Sequence, residues 1–261
     1  MSNTQTGIFE GVPDAEYRAI EAYGSSVVKT AAMLSVAHAK VRTPDSPAMF
    51  KGRLAHCMVL EWMEVGNRYE QQLEGHGASK VVKEDKARIL ANGKTPVTRS
   101  DWDAVESACR SANSDPTIDA ILEIGAPEVT VVWREKLTGL MCKARIDWLR
   151  RHENEAYDLK TTSTFGGASP NVWERNVSRY GLGIQAVHYL DGLSEVTGQV
   201  WEWRWLALEL VPPFATALYQ MGPDAYANGL SGWTRGISRL HESEKAGQDL
   251  TWPQHTYTVG G

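Results

Sequence analysis

The chain has 261 residues, of which 42% are hydrophobic and 23% charged, a balance ordinary for a globular protein able to bury a sizeable core. Its formal net charge of −5 argues against a general nucleic-acid coat protein, which carries a basic surplus, but leaves room for a local basic patch. No apolar run approaches the ~20 residues that span a bilayer, and the opening MSNTQTGIFEG lacks the basic-then-apolar layout of a leader, so the expectation is a cytoplasmic protein with no membrane contact.

No repeat, low-complexity linker or long charge block divides the sequence. A single domain over residues 1–261 is therefore expected, helical over about 13–120 and mixed-sheet over about 126–250. Helices are predicted over 13–23, opened by Pro13-Asp14, and over 46–63, where Pro47 falls in the first turn. Two more follow over 83–92 and 100–112, the latter starting at Ser100 with an acid at 101, while 64–82 carries little signal. After Gly125-Ala126-Pro127 the pattern turns to strands: EVTVVWRE (128–135), GLMCKARIDWLRR (139–151) and EAYDLKTT (155–162). Their short links imply antiparallel hairpins. Helices over 170–178 and 181–197, strands over 201–210 and 214–221, and a helix over 223–246 complete a mixed α/β sheet. Alternation in WEWRW assigns Trp201, Trp203 and Trp205 to the core rather than to a base-stacking platform.

Asp158 and Lys160 in AYDLKTTST share one face of the third strand, because side chains two apart point the same way. On composition alone roughly three acid–x–base triplets arise by chance, so the triplet needs support from elsewhere. Asp147 provides it. If 139–151 and 155–162 pair as a hairpin, Asp147 falls opposite or diagonal to Asp158, and two carboxylates that close repel unless a cation lies between them. Mg²⁺, hard and oxygen-loving, is the expected occupant, with Mn²⁺ able to substitute. The dispersed cysteines, Cys57, Cys109 and Cys142, offer no zinc ribbon or iron–sulfur site. A metal there polarises a phosphodiester and activates water, and Lys160 can orient that water or meet charge developing on the phosphate. The alternative is a surface Asp–Lys pair that stabilises little. Glu128 opens the first strand and is a second-rank carboxylate. Lys143, Arg145, Arg150 and Arg151 form either a phosphate-binding patch or a solvated strand edge.

The stretch RIDWLRRHENEAYDLKTTST resembles the core of the PD-(D/E)xK nucleases, and is especially similar to the RecE-type exonucleases (exonuclease VIII-like) of the RecB-like branch. In those, an acid closing one strand is followed by D-[LIV]-K-T-[TS] on the next, matched here by Asp147 and Asp158-Leu159-Lys160-Thr161-Thr162. FKGRLAHCMVLE (50–61) resembles the family's G-x-x-x-H-x-x-x-x-E helix, GIQAVHYL (183–190) its Gln/Tyr helix, and LELVPPFATALYQM and TWP (251–253) its Pro-Pro strand end and terminal W-P. The family's early S-x-S-x-[LI]-K segment appears only loosely, around Ser25, Ser26 and Lys29.

The resemblance implies a restriction-endonuclease-like core, a central mixed sheet flanked by helices with a helical N-terminal portion. It implies that His56, Asp147, Asp158 and the Leu159 backbone carbonyl hold the metal, that Lys160 assists catalysis, and that Gln185 and Tyr189 position groups at the site. Arg53, Lys143, Arg145, Thr161 and Thr162 are the implied DNA contacts. From the residues alone, His56 reads first as a packed helix histidine, and Gln185 and Tyr189, at i and i+4, read first as packing residues. The implied activity is Mg²⁺-dependent 5′→3′ resection of linear duplex ends, leaving 3′ single strands for an annealing protein of RecT type. The implied assembly is a homo-oligomeric ring, in a phage or prophage protein acting in the bacterial cytoplasm. An endonuclease of the same fold, or an idle DNA-end-binding scaffold, is the rival reading.

Overall fold

The computed structural model describes residues 5–41, 44–77 and 79–251. The first elements are β1 (Gly7–Phe9), α1 (Asp14–Ala19) and β2 (Tyr23–Gly24). The helix expected over 13–23 thus ends early. At its end the Lys143 ammonium donates to the carbonyls of Tyr17, Arg18 and Ile20 at 3.0, 3.4 and 2.8 Å, as a cation at a helix C-terminus favours. The chain then turns extended at Ile20 and pairs with the sheet at Tyr23 and Gly24.

Next come α2 (Ser25–Met33), α3 (Val36–Ala39) and α4 (Pro47–Leu60). In α4 the Ser46 hydroxyl accepts from Met49 N and Pro47 sits in the first turn, so the start is as expected; the end falls at Leu60 rather than 63. Beyond a 3₁₀ turn at Trp62–Glu64 lie α5 (Val65–Arg68), β3 (Tyr69–Gln71), α6 (Lys80–Ala91), β4 (Thr95–Val97), α7 (Arg99–Asn113) and α8 (Pro116–Glu123). Thr98, not Ser100, caps α7 by accepting from Asp101 N. The sequence reading did not foresee α8, although Asp115 caps it through Thr117 N and Ile118 N ahead of Pro116.

The second half matches its expected elements closely: β5 (Ala126–Arg134), β6 (Met141–Arg150), β7 (Glu155–Thr162), α9 (Pro170–Arg179), α10 (Leu182–Thr197), β8 (Glu202–Glu209), β9 (Thr216–Gln220) and α11 (Pro223–Ala246). The main sheet runs β1-β5-β6-β7-β8-β9, with β2 beside β6, and β3 and β4 form a separate pair. The β5/β6 and β6/β7 hairpins are antiparallel, as their short links require, and β8 returns parallel to β7 after the α9–α10 crossover. Trp201, Trp203 and Trp205 are buried, in agreement with their alternation.

One irregularity of this sheet positions everything below. β6 pairs with β7 only over Trp148–Arg150, and with β2 at Cys142 and Lys143 on the same edge. Between those two stretches β6 and β7 part, leaving a fork. On one face of the sheet, α2, α10 and α11 bury Val28, Leu193 and Ile237 against Val131, Ile146 and Trp203; on the other, α4, α7 and α8 bury Leu54, Val105 and Ile118 against Tyr157, Leu159 and Leu206.

Candidate active site

Asp147 lies at the fork. Its Oδ2 accepts from the Leu159 backbone N–H at 2.7 Å, standing in for the ladder bond that the parting strands do not make. The strand alternation slips here on both partners. Ile146 and Leu149, three apart, face the same core, and so do Ala126 and Val129 on β5. The slip on β5 sits at Glu128, whose φ of 51° is uncommon for a residue with a side chain. Register pairs Pro127 with Trp148 and Val129 with Ile146, which makes Glu128 the position facing Asp147. The double slip brings both carboxylates to the fork.

α4 supplies the third member. His56 Nε2 lies 2.9 Å from the Leu159 carbonyl, and since a carbonyl only accepts, Nε2 carries the proton. In the neutral ring Nδ1 then holds the lone pair, and Nδ1 lies 3.5 Å from Asp147 Oδ2 and 3.9 Å from Glu128 Oε1. One atom each of His56, Glu128 and Asp147 fall within 4.8 Å of one another, a geometry able to hold a metal ion. Burial by itself would depress the His56 pKa, but the Asp147 charge and the Glu128 hydrogen bond overcome it and push it up to about 9, so without a cation Nδ1 is protonated and its lone pair is offered only when a cation displaces that proton. Gly52, one turn earlier, faces Thr161: a Cβ there would stand 3.4 Å from Thr161 Oγ1, an ordinary contact, so the approach of α4 does not depend on glycine.

Asp158 and Lys160 point to the other side of β7, toward α10. Asp158 is 1% exposed; its Oδ1 accepts from Lys160 Nζ at 2.5 Å and from Gln185 Nε2 at 3.0 Å. Its Oδ2 is buried and has no hydrogen-bond partner. Burial, partly offset by Lys160, pushes its pKa up to about 6, and burial likewise raises that of Asp147. The Lys160 pKa is raised: burial opposes the charge, but Asp158 and then Asp147 hold the ammonium. Gln185 Nε2 also reaches Tyr189 Oη at 3.4 Å, and Ser25 Oγ donates to the same phenol at 3.3 Å. Lys29, one turn after Ser25, has its pKa lowered by burial and then by repulsion from Lys160. The loosely matched Ser25–Lys29 segment therefore borders the site after all, while Ser26 is exposed.

Asp147, Asp158, Lys160, His56, Gln185 and Tyr189 thus come together, with three differences from the sequence reading. Glu128, ranked second, sits in the tightest cluster. Asp158 is turned to Lys160 and Gln185 rather than sharing that cluster. The Leu159 carbonyl is engaged by His56, although its second lone pair is uncommitted.

The basic residues are already engaged within the protein. Lys143 is spent on the end of α1, and Arg145 on Asp14 and the Val12 carbonyl, with Glu128 3.8 Å away. Arg150 pairs with Glu153 and Glu155, and Arg151 with Glu10. These pairings pin the N-terminal segment and the hairpin. Arg53 is paired with Asp45 on the surface. Thr161 and Thr162 are half-buried, and Thr162 Oγ1 accepts from Thr164 N. Trp252 and Pro253 of the TWP motif lie outside the described residues. Hairpin arithmetic from the 135–140 turn was the signal that could have raised Glu128, since it sets that residue against Asp147.

Residues 26–256 match the family model described as a PDDEXK-like domain of unknown function (DUF3799). A solved structure of a candidate exonuclease from Eubacterium rectale is similar over 92% of this chain and 88% of its own, with a TM-score of 0.62 at 13% identity, a likeness of fold. A phage-related exonuclease from Haemophilus somnus 129PT aligns over 87% of this chain and 96% of its own at 8% identity, but its TM-score of 0.38 is too low to support a comparison. No curated protein sequence matches the chain.

Proposed function

The chain belongs to this PDDEXK-like family, and from that premise we propose that it is a metal-dependent deoxyribonuclease that resects linear duplex ends. The observation that carries the reading is the pairing of the His56–Glu128–Asp147 cluster with Asp158 and Lys160 across one strand fork.

The residues fit a divalent cation. Asp158 Oδ2 is buried without a partner, a cost that a cation would relieve, and the donor set is dominated by carboxylate oxygens, as Mg²⁺ and Mn²⁺ prefer. Glu128, Asp147 and Asp158 would hold it, with the His56 Nδ1 lone pair and the Leu159 carbonyl beside them. When bound, such an ion polarises the phosphodiester and lowers the pKa of a water.

The chain's own residues do the rest. Lys160 stays an ammonium, because its carboxylate neighbours raise its pKa, so it acts as a donor rather than a base. It orients the attacking water or meets the negative charge that builds on the phosphate oxygens. Gln185 fixes the Asp158 carboxylate, and Tyr189, held by Ser25, fixes Gln185. The His56 hydrogen bond to Leu159 selects the tautomer that presents Nδ1.

Beyond hydrolysis, the resemblance to RecE-type exonucleases supports 5′→3′ polarity, a 3′ single-stranded product handed to a RecT-type annealing protein, and a ring of several copies. The test is incubation with linear and covalently closed circular duplex, with and without Mg²⁺. Metal-dependent loss of the linear form alone is expected. Cutting of the circle would make the protein an endonuclease of the same fold, and binding without cleavage of either would make it an end-binding scaffold.

A further inference from the structure

The two ends of α9 are both fastened to the candidate site. At its start, the turn after β7 closes through Gly167 N donating to the Thr164 carbonyl at 2.9 Å. A Cβ on Gly167 would stand 2.4 Å from Thr162 Oγ1, so this turn lies directly on Thr162, which shares a face with Asp158 and Lys160. At its far end Gly181, with φ +59°, packs against the Lys29 side chain, 3.1 Å from where its Cβ would be. Gln185, the Asp158 partner, follows within the first turns of α10. α9 is therefore a strut of ten residues, ~15 Å long, along the mouth of the site.

Its outer face is unlike the rest of the surface. Among the described residues, every other arginine reaches a carboxylate or a backbone carbonyl. Arg175 and Arg179 reach neither, although both are exposed and the protein is acidic overall. They stand at i and i+4, where like charges destabilise a helix. Glu174 is the one acid on α9, and it pairs with neither. Two exposed aromatics bracket the pair: Phe165, 80% exposed at the tip of the Thr164–Gly167 turn, and Tyr180, 51% exposed, with the Arg179 guanidinium 5.5 Å from its ring centroid. Guanidinium groups without a carboxylate partner beside exposed aromatic rings are what a single nucleic-acid strand requires, phosphates for the former and unstacked bases for the latter.

We propose that the outer face of α9, with Arg175 and Arg179 between Phe165 and Tyr180, is a track that holds a single DNA strand at the mouth of the site. The arginines lie ~6 Å apart along the helix axis, so each meets its own phosphate. Phe165 and Tyr180 stack on bases at either end, which requires the strand to be unpaired there. The inference rests on the nuclease reading only for the identity of the ligand.

The test is binding of a fluorescent single-stranded DNA oligonucleotide, and of the matching blunt duplex, to the full chain in EDTA across a salt series. Hydrolysis of linear duplex with Mg²⁺ is followed in parallel. Arg175→Ala with Arg179→Ala should flatten the slope of log K against log salt by about 1.4, from ~0.7 per phosphate contact on a single strand, and Arg→Lys at both should restore it. Phe165→Ala and Tyr180→Ala should each weaken the oligonucleotide roughly tenfold with the slope kept. All four side chains are exposed, so unchanged melting temperatures will separate loss of binding from loss of fold. Wild-type affinity and slope in the double variant would overturn the proposal, as would an equal loss for duplex and single strand, which would mean the face reads a double helix. Binding as described without any hydrolysis by the wild type would leave the track standing and refute the nuclease reading instead.

Discussion

Glu128→Gln tests the second-rank carboxylate that the structure brings into the cluster with His56 and Asp147. The change keeps the side chain's size and removes a charge that stands 3.9 Å from His56 Nδ1 and within 4.8 Å of the Asp147 ligand atom. A partner that merely supports a metal ligand is worth 10–100-fold in affinity, so loss of a carboxylate ligand is taken at about 100-fold. At a metal concentration of ~100 times the wild-type Kd, binding to the folded state stabilises it by about 2.7 kcal/mol. With Kd raised 100-fold, the same concentration supplies about 0.4 kcal/mol. For a chain of this size ~2–4 °C of melting temperature accompanies each kcal/mol, which predicts a metal-induced rise of roughly 5–11 °C for wild type and ~1 °C for the variant. The assay is thermal unfolding followed across Mg²⁺ and Mn²⁺ titrations, with no nucleic acid present. An equal rise in the variant would refute the place given to Glu128, and no rise in wild type would refute the metal site as a whole.

Other consequences are as direct. Lys160→Gln should lower turnover on linear duplex by ~10²–10³-fold at saturating metal, the usual cost of losing one donor to a developing oxyanion, while the metal-induced rise in melting temperature persists; near-normal turnover would remove Lys160 from the chemistry. Lys143→Met should cost ~1–3 kcal/mol in urea denaturation by stripping the carbonyls of Tyr17 and Ile20 of their donor, and leave the salt slope of DNA binding alone; a drop of ~0.9 in that slope on duplex would restore the basic-patch reading. His188, fully buried, accepts from Trp233 Nε1 and donates to the Lys143 carbonyl, and burial lowers its pKa to about 4. Because the unfolded chain binds this proton first, at about 6.5, stability is whole above that pH and falls by about 3 kcal/mol as pH drops to about 4. Urea midpoints that do not move across that window would show that the histidine is not held neutral.

What the sequence revealed and what it hid follow from how local each feature is. EAYDLKTT was legible to the residue, since strand parity alone fixes Asp158 and Lys160 to one face, and so was the helix 223–246 with its Pro and Gly boundaries. The α7 start was misread because Thr98 competes as a cap with neighbouring Ser100, and α8 was missed outright although Asp115 caps it. Glu128 stood only second because its place depends on a positive φ at a non-glycine residue, which no alternation rule anticipates. The partners of the basic residues were hidden for another reason. Lys143, Arg145, Arg150 and Arg151 are close in sequence, but their partners Tyr17, Asp14, Glu155 and Glu10 lie on other segments, and charge pairing across the fold is invisible to composition. Conversely, Arg175 and Arg179 stand out only once every other arginine among the described residues has been matched.

The most direct test of the central claim is digestion of a linear duplex labelled at one defined end, in Mg²⁺, by wild type and by Asp147→Asn. With the proposed 5′→3′ polarity, wild type releases a 5′ label at once as a short product and shortens a strand labelled at its 3′ end progressively, and the variant does neither. Intact label at both ends with wild type, or digestion that survives in Asp147→Asn, would contradict it.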